Sequence, residues 1–128
     1  MSYHISKKID GSFEEATTKV KEALQREGFG VISEIDLKDK FKEKLQVDFR
    51  NYIILGACNP QLAYQAIQQE ANIGVMLPCN VLLQEHETGG VEVTAINPME
   101  TMAAVDSPHL NSLAEEVSRK LKSAINGL

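Results

Sequence analysis

The sequence has no tryptophan, and aromatic residues make up only 5% of its 128 positions. Its core must therefore consist mainly of valine, isoleucine, leucine and alanine. It also lacks an apolar run of the roughly 18 residues that a membrane-spanning helix needs. Hydrophobic residues at 43% and charged residues at 24% are ordinary for a folded protein, so disorder is not expected. A chain of this length predicts one soluble domain over residues 1–128.

A basic excess is missing as well. The formal net charge is −5, whereas a protein that binds nucleic acid needs positive charge to meet the phosphates. The one dense basic run, Lys38–Lys44, is interrupted by Asp39 and Glu43 and is typical of a solvent-facing helix. We therefore expect neither nucleic acid nor a membrane as a partner.

Several familiar motifs are absent too. The first residues carry no charged segment followed by an apolar one, so no signal peptide is predicted and we expect a cytoplasmic protein. Two cysteines in that compartment are expected to be free thiols. The sequence has no C-x-x-C pair, zinc-ligand spacing, phosphate-binding glycine loop or nucleophile elbow. It therefore predicts no metal and no cofactor, and it leaves open whether the protein is an enzyme.

Hydrophobic periodicity and capping residues predict the element order β-α-β-(α)-β-α-β-β-α. Ser12 and Glu15 form a capping box before a helix that Gly28 ends. Asn59–Pro60 and Ser107–Pro108 each begin a further helix, because Asn and Ser are good N-caps and Pro is tolerated at the first helical position. The first of these two is expected to end at Asn72 or Gly74, and the second to reach Ile125. The short helix in parentheses is predicted over residues 36–45.

Strands are predicted at Tyr3–Ile9, Phe29–Ile35, Arg50–Ala57, Val75–Glu85 and Val91–Ala95. The last two form a hairpin with its turn at Gly89–Gly90. In the second strand, Phe29, Val31, Ser33 and Ile35 are expected to share one face. Pro78 cannot donate a ladder hydrogen bond, so its strand must be an edge there, form a bulge, or begin after it.

This order predicts an α+β fold, a two-layer sandwich with a mainly antiparallel sheet and helices packed on one face. The run Tyr52–Leu55 departs from that picture, because a strand with one face in water should alternate between apolar and polar residues. A partner that covers the second face would explain the run. We therefore expect a homodimer.

Both cysteines are followed by asparagine, at Cys58–Asn59 and at Cys79–Asn80. The surrounding segments, Gly56–Ala63 and Gly74–Val81, resemble the uncharacterised family called domain of unknown function 302. The resemblance continues through the hairpin to Asn97–Pro98, where the family more often has Asp-Pro. It implies a two-layer α+β fold, dimers and a bacterial or archaeal cytoplasmic protein, and it implies no established activity. The missing carboxylate at Asn97 argues against acid–base chemistry at that point.

The candidate ligand-binding site lies where the two Cys-Asn segments meet, and it comprises Cys58, Asn59, Met76, Leu77, Pro78, Cys79 and Asn80. Cys58 directly precedes a helix N-terminus, whose partial positive charge favours a thiolate. Asn59 also has a purely structural explanation as the cap of that helix. No catalytic residue can be assigned.

Four interpretations of this site stay open. The thiols could carry redox or sulfur-transfer chemistry, with Cys79 resolving an intermediate on Cys58. They could bind a soft metal together with Met76, Met99 or a histidine. The segments could line a pocket for a small molecule. They could also only shape the backbone of an interaction module, because buried cysteine packs as a small hydrophobic residue.

Overall fold

The computed structural model describes residues 2–128. The strands are β1 (His4–Ile9), β2 (Gly30–Asp36), β3 (Tyr52–Cys58), β4 (Cys79–Glu85) and β5 (Val91–Ile96). The helices are α1 (Phe13–Arg26), α2 (Leu37–Leu45), α3 (Pro60–Gln69), the single turn α4 (Pro98–Thr101) and α5 (Pro108–Asn126), with a 3₁₀ helix at Ala71–Met76. The predicted order is confirmed, including the short helix α2.

The five strands form one antiparallel sheet in the order β1-β5-β4-β3-β2. Helices α1 and α5 pack on one face, where Leu24 and Leu121 join Leu55, Val81 and Leu83 in a buried cluster. The opposite side of the sheet, which we call the open face, carries the alternate residues of each strand. The predicted α+β sandwich with helices on one face is therefore confirmed.

Local capping explains where the helices begin and end. The Ser12 hydroxyl accepts a hydrogen bond from the Glu15 amide at 3.1 Å, and it donates one to the Glu15 carboxylate at 3.2 Å. Gly28 follows α1 with a φ of 89°, a left-handed conformation that glycine adopts without a steric penalty. Asp36 caps α2 by accepting from the Asp39 amide at 3.1 Å. These contacts fix the lengths of the connections between helices and strands.

The end of α3 and the start of β4 differ from the sequence-based expectations. Helix α3 ends at Gln69 rather than at Asn72 or Gly74, because the chain tightens into the 3₁₀ helix. Strand β4 begins only after Pro78, whose peptide bond to Leu77 is cis. This position leaves the proline out of the ladder, as one of the three predicted arrangements requires.

The predicted common face of β2 is wrong. Val31 pairs with Ala57, whereas Ser33 pairs with Gly56, so a bulge lies between Val31 and Ser33. The extra residue turns the side chains that follow to the other face of the sheet. Val31 therefore packs against the helix-covered core, and Ile35 lies on the open face.

A second, smaller cluster lies beside the main core, where α3 and the 3₁₀ helix meet α5. Its buried members are Ala66, Ile73 and Leu110. Leu77 and Met102 pack against it and join it to the start of β4 and the end of α4. Within residues 2–128, the helices are all too short or too polar to cross a bilayer.

Candidate functional site

A cavity lies between the two clusters, at the end of the sheet where β3 runs into α3 and β4 begins. Its volume is about 40 Å³. Its walls are almost entirely apolar and come from the sheet, α3, α4 and α5, with Phe29, Leu62, Pro98, Leu110 and Val117 among the lining residues. This is the place where the two Cys-Asn segments were expected to meet.

Both cysteines line this cavity. Cys79 is opposite Ala57 in the register of β3 and β4, and Cys58 is the next residue along β3. Their Cα atoms are therefore roughly 5–7 Å apart, from the spacing of paired strands and the length of one residue step. No disulfide joins them, and Cys58 is half-buried whereas Cys79 is 8% exposed.

The surroundings of Cys79 disfavour its thiolate. Burial in the apolar wall, together with the smaller effect of negative charge on the nearby Cys58 thiol, raises the pKa of Cys79 from 9.0 to about 11. At neutral pH the Cys79 side chain is therefore a protonated thiol. A protonated thiol is a weak nucleophile and packs as a small hydrophobic group.

Asn59 performs the structural role that its position allows. Its side-chain oxygen accepts a hydrogen bond from the Leu62 amide at 3.3 Å and caps α3, and Pro60 follows as the first helical residue. Asn59 also borders the cavity, beside Leu77 and Pro78. The side-chain oxygen of Asn59 is therefore used in capping α3, and Leu77 and Pro78 contribute apolar surface to the cavity wall.

The other two predicted site residues lie outside the cavity. Met76 ends the 3₁₀ helix and is partly exposed. Asn80 is exposed and pairs with Gly56 on the open face, one residue beyond Cys79. The structure therefore brings together Cys58, Asn59, Leu77, Pro78 and Cys79, and it leaves Met76 and Asn80 apart from them.

Sequence reasoning missed the far wall of the cavity. Leu110, Leu113, Ala114 and Val117 come from α5, and Met102 comes from the turn before it. The sequence did indicate that the α5 residues are buried, since they belong to the apolar stripe of the last helix. Nothing in that stripe distinguishes a residue that lines a cavity from one that fills the core.

A buried hydrogen-bonded pair, Asn97 and Ser118, connects α4 to α5 beside this wall. The Ser118 hydroxyl donates to the Asn97 side-chain oxygen at 2.9 Å and accepts from the Met99 amide at 3.2 Å. Asn97 is 6% exposed, and its side-chain amide donates to the Ser2 carbonyl at 3.3 Å. Through these hydrogen bonds Asn97 connects the start of α4 to α5. Its role is structural, and it takes no part in acid–base chemistry.

The histidines contribute nothing to the cavity. His86 pairs with Glu92 across the hairpin at 2.9 Å, at the opposite end of β4 from Cys79. Across residues 2–128, the histidines, cysteines and acidic residues form no cluster of three that could hold a metal ion. The cavity thus offers two thiols, the thioether of Met102 and an otherwise apolar wall.

The comparisons with known proteins agree with this fold. A solved structure, the crystal structure of an uncharacterized conserved protein DUF302 from Bacillus stearothermophilus, superposes with a TM-score of 0.90 and 24% identity over 98% of each chain. At that identity the likeness establishes the fold. The curated proteins contain no match to this chain. The model of the family described as Domain of unknown function DUF302 matches residues 5–128, and the chain therefore belongs to that family.

Proposed function

We propose that this protein is a small-molecule-binding module whose ligand inserts a compact apolar group into the cavity between β3, β4, α3 and α5. The observation that carries the proposal is a cavity with almost wholly apolar walls that reaches the sheet end and both thiols. A preformed apolar cavity binds an apolar group because neither side has to give up strong hydrogen bonds to water.

The size of the cavity limits the ligand. A volume of about 40 Å³ corresponds to roughly three water-sized probe spheres. Pockets for drug-sized ligands are about ten times larger. The buried part of the ligand is therefore a short aliphatic group, and the rest of the ligand stays at the rim, where Cys58 and Asn59 lie.

Nuclear magnetic resonance with small probes tests this proposal. Xenon and the four-carbon compounds butanol and butyrate are titrated into labelled protein. Saturable shifts are expected at the methyl groups of Leu62, Ala66 and Leu110, which line the cavity. Two variants fill part of the cavity, Ala66→Leu at a buried position and Ala63→Leu at a half-buried one. Each should abolish these shifts.

The control is Gln65→Leu, an exposed position on the same helix that does not line the cavity. It should bind the probes as the wild-type protein does. Absence of saturable shifts in the wild-type protein would contradict the proposal. Equal binding by the wild-type protein and both filled variants would contradict it too.

Thiol chemistry is the second candidate function. It is favoured by the approach of Cys58 and Cys79 at one cavity. The raised pKa of Cys79 weighs against that residue as an attacking thiolate. In this alternative Cys58 would react first, and it would be labelled by iodoacetamide much faster than Cys79.

The cellular setting follows from the same features. We propose a cytoplasmic protein, because two neighbouring thiols without a disulfide suit a reducing compartment. We also propose that it is a homodimer. The apolar residues on the open face of the sheet support a second copy as the partner.

A further inference from the structure

A polar groove opens at the surface beside the apolar cavity, where α3 begins. Its walls include Arg26, Glu27 and Gly28 from the end of α1, together with Asn59 and, from α5, Lys120. Asn59 lines both the groove and the cavity. The apolar cavity and the polar groove therefore share one wall at this residue.

The two spaces also adjoin along α1 and α5. Gly28 borders the groove, and the next residue, Phe29, lines the cavity. On α5, Val117 lines the cavity and Lys120 borders the groove. Residues three apart on a helix lie on the same side of it, so Lys120 is the next side chain outward from Val117. A ligand seated in the cavity thus has the groove directly beside its outer end.

The side-chain amide of Asn59 has one hydrogen-bonding atom in use and one to spare. Its oxygen accepts from the Leu62 amide and caps α3. A Cβ atom added to Gly28 would lie 3.0 Å from the Asn59 Nδ2 atom, so this nitrogen is directed at the backbone beside the groove. Within residues 2–128 it donates no hydrogen bond, and no buried side-chain nitrogen lacks a partner. The nitrogen is therefore a solvent-accessible donor.

The charged side chains of the groove give it a positive balance. Arg26 is exposed and Lys120 is half-buried, and in the described part of the chain neither forms an ion pair. Glu27 is the acidic member, and its carboxylate accepts from the Ser123 hydroxyl at 2.9 Å. Two cations and one carboxylate leave a net formal charge of +1 in a chain whose overall charge is −5. The groove is thus a place where a small anion is attracted.

We propose that the ligand of the cavity is a short-chain aliphatic carboxylate. Its alkyl chain fills the apolar cavity, and its carboxylate lies in the groove, where it accepts a hydrogen bond from the Asn59 amide and faces Lys120 and Arg26. This inference rests on the proposed function, because it names the chemical class of the ligand that the cavity binds. It adds a second requirement, a negative charge at one end of the molecule.

The charge of the groove selects among head groups on the same alkyl chain. An alcohol gains no attraction from Lys120 and Arg26, and an ammonium group is repelled by them. A phosphate monoester carries nearly two negative charges at neutral pH and exceeds the single net positive charge of the groove. A carboxylate has one charge at pH 7, and a hydrogen bond from an amide to an ionised acceptor is stronger than one to a neutral acceptor.

The test compares four probes that share a four-carbon chain: butyrate, butanol, butylamine and butyl phosphate. Each is titrated at pH 7 into labelled wild-type protein and followed by nuclear magnetic resonance. The methyl groups of Leu62 and Leu110 report on the cavity, and the side-chain amide of Asn59 reports on the head group. Butyrate should bind about 5- to 10-fold more tightly than butanol, a modest gain because exposed ion pairs are weak. Butylamine should bind most weakly.

Two variants locate the carboxylate. Asn59→Asp keeps an oxygen to cap α3, since Asp and Asn are equally good N-caps, but it replaces the amide donor with a negative charge. It should lose about tenfold more affinity for butyrate than for butanol. Lys120→Gln removes one cation and should weaken butyrate about threefold. Lys122→Gln is the matched control, an exposed lysine on the same helix that does not border the groove, and it should bind butyrate as the wild-type protein does.

The outcomes separate this inference from the proposed function. No saturable binding of any probe by the wild-type protein would overturn both. Equal affinity for butyrate and butanol would leave the apolar cavity as a binding site and overturn the carboxylate. Tighter binding of butyl phosphate than of butyrate would overturn the match to a single negative charge. An undiminished preference for butyrate in both Asn59→Asp and Lys120→Gln, each shown to be folded by circular dichroism, would overturn the groove as the position of the head group.

Discussion

The two faces of the sheet use the same strands for different purposes. On β4, Leu83 is fully buried beneath the helices, and the adjacent Leu82 is half-buried on the open face. Both faces carry apolar residues at the centre, and α1 and α5 pack on one of them, whereas Phe41 of α2 reaches Tyr52 on the other through Phe49. Burial of the apolar side chains on the helix-covered face stabilises the fold. The cavity lies at the end of this face, beside Ala57 and Cys79. The open face carries half-buried apolar residues, such as Ile54 and Leu82, at its centre.

The residues of the apolar run Tyr52–Leu55 alternate between the two faces. Leu55 belongs to the helix-covered core, and Ile54 belongs to the apolar row of the open face. A continuous apolar run on one strand thus serves two faces of the sheet. Packing beneath the helices explains Ile53 and Leu55, and Ile54 lies half-buried on the open face.

The largest expected effect separates the faces directly. Leu83→Ala should lower the free energy of unfolding by about 2–5 kcal/mol at every protein concentration, because it leaves a cavity in the core. Leu82→Ala should lower it less, and its effect should grow as the concentration rises and the dimer forms. Urea unfolding at several concentrations checks both. Equal losses that do not depend on concentration would mean that Leu82 is covered within the monomer.

The next effect uses the titration of Cys79, on the helix-covered face. The folded thiol keeps its proton up to its pKa of about 11, whereas the unfolded thiol loses its proton near 9.0. Above pH 9 the unfolded state therefore binds fewer protons and gains stability relative to the folded state. The wild-type protein should lose about 2 kcal/mol between pH 9 and pH 11 that Cys79→Ala does not lose.

The matched control for this titration is Val81→Ala, a buried neighbour on the same strand without an ionisable group. Val81→Ala should keep the full pH dependence of the wild-type protein, although it is less stable throughout. Chemical unfolding from pH 8 to pH 11 provides the comparison. A constant difference between wild-type protein and Cys79→Ala would show that the thiol is hydrated in the folded state.

Much of the fold could be predicted because local signals and packing agree. Ser12, Asn59 and Ser107 each cap a helix that also has an apolar stripe, so capping and periodicity predict the same element. The bulge between Val31 and Ser33 could not be predicted. It depends on how β2 pairs with β3, and a strand's own sequence does not specify the pairing of its neighbour.

The site could be predicted only as a location. The Cys-Asn segments indicated where β3 and β4 meet, and Cys58, Asn59, Leu77, Pro78 and Cys79 line one cavity there. Asn80 follows Cys79 along a strand, so it points to the opposite face. Met76 could not be excluded from sequence, because its position depends on a 3₁₀ helix capped by Glu70, and glutamate is not a typical N-cap residue. The cavity itself depends on the packing of α5, which is distant in the chain.

The smallest effect concerns a tight contact on the open face. A Cβ atom at Gly56 would lie 2.8 Å from the Pro78 Cγ atom and would collide with the Ser33 hydroxyl. Gly56→Ala should therefore destabilise the fold by roughly 1–2 kcal/mol, because the proline ring cannot rotate away. Gly74→Ala is the control, since a Cβ atom there meets no heavy atom within 4 Å and should change stability by less than about 0.5 kcal/mol. Thermal unfolding of the two variants measures the difference, and Ser33→Ala combined with Gly56→Ala separates the hydroxyl from the proline. If Gly56→Ala were as stable as the wild-type protein, β3 and Pro78 would not be in close contact.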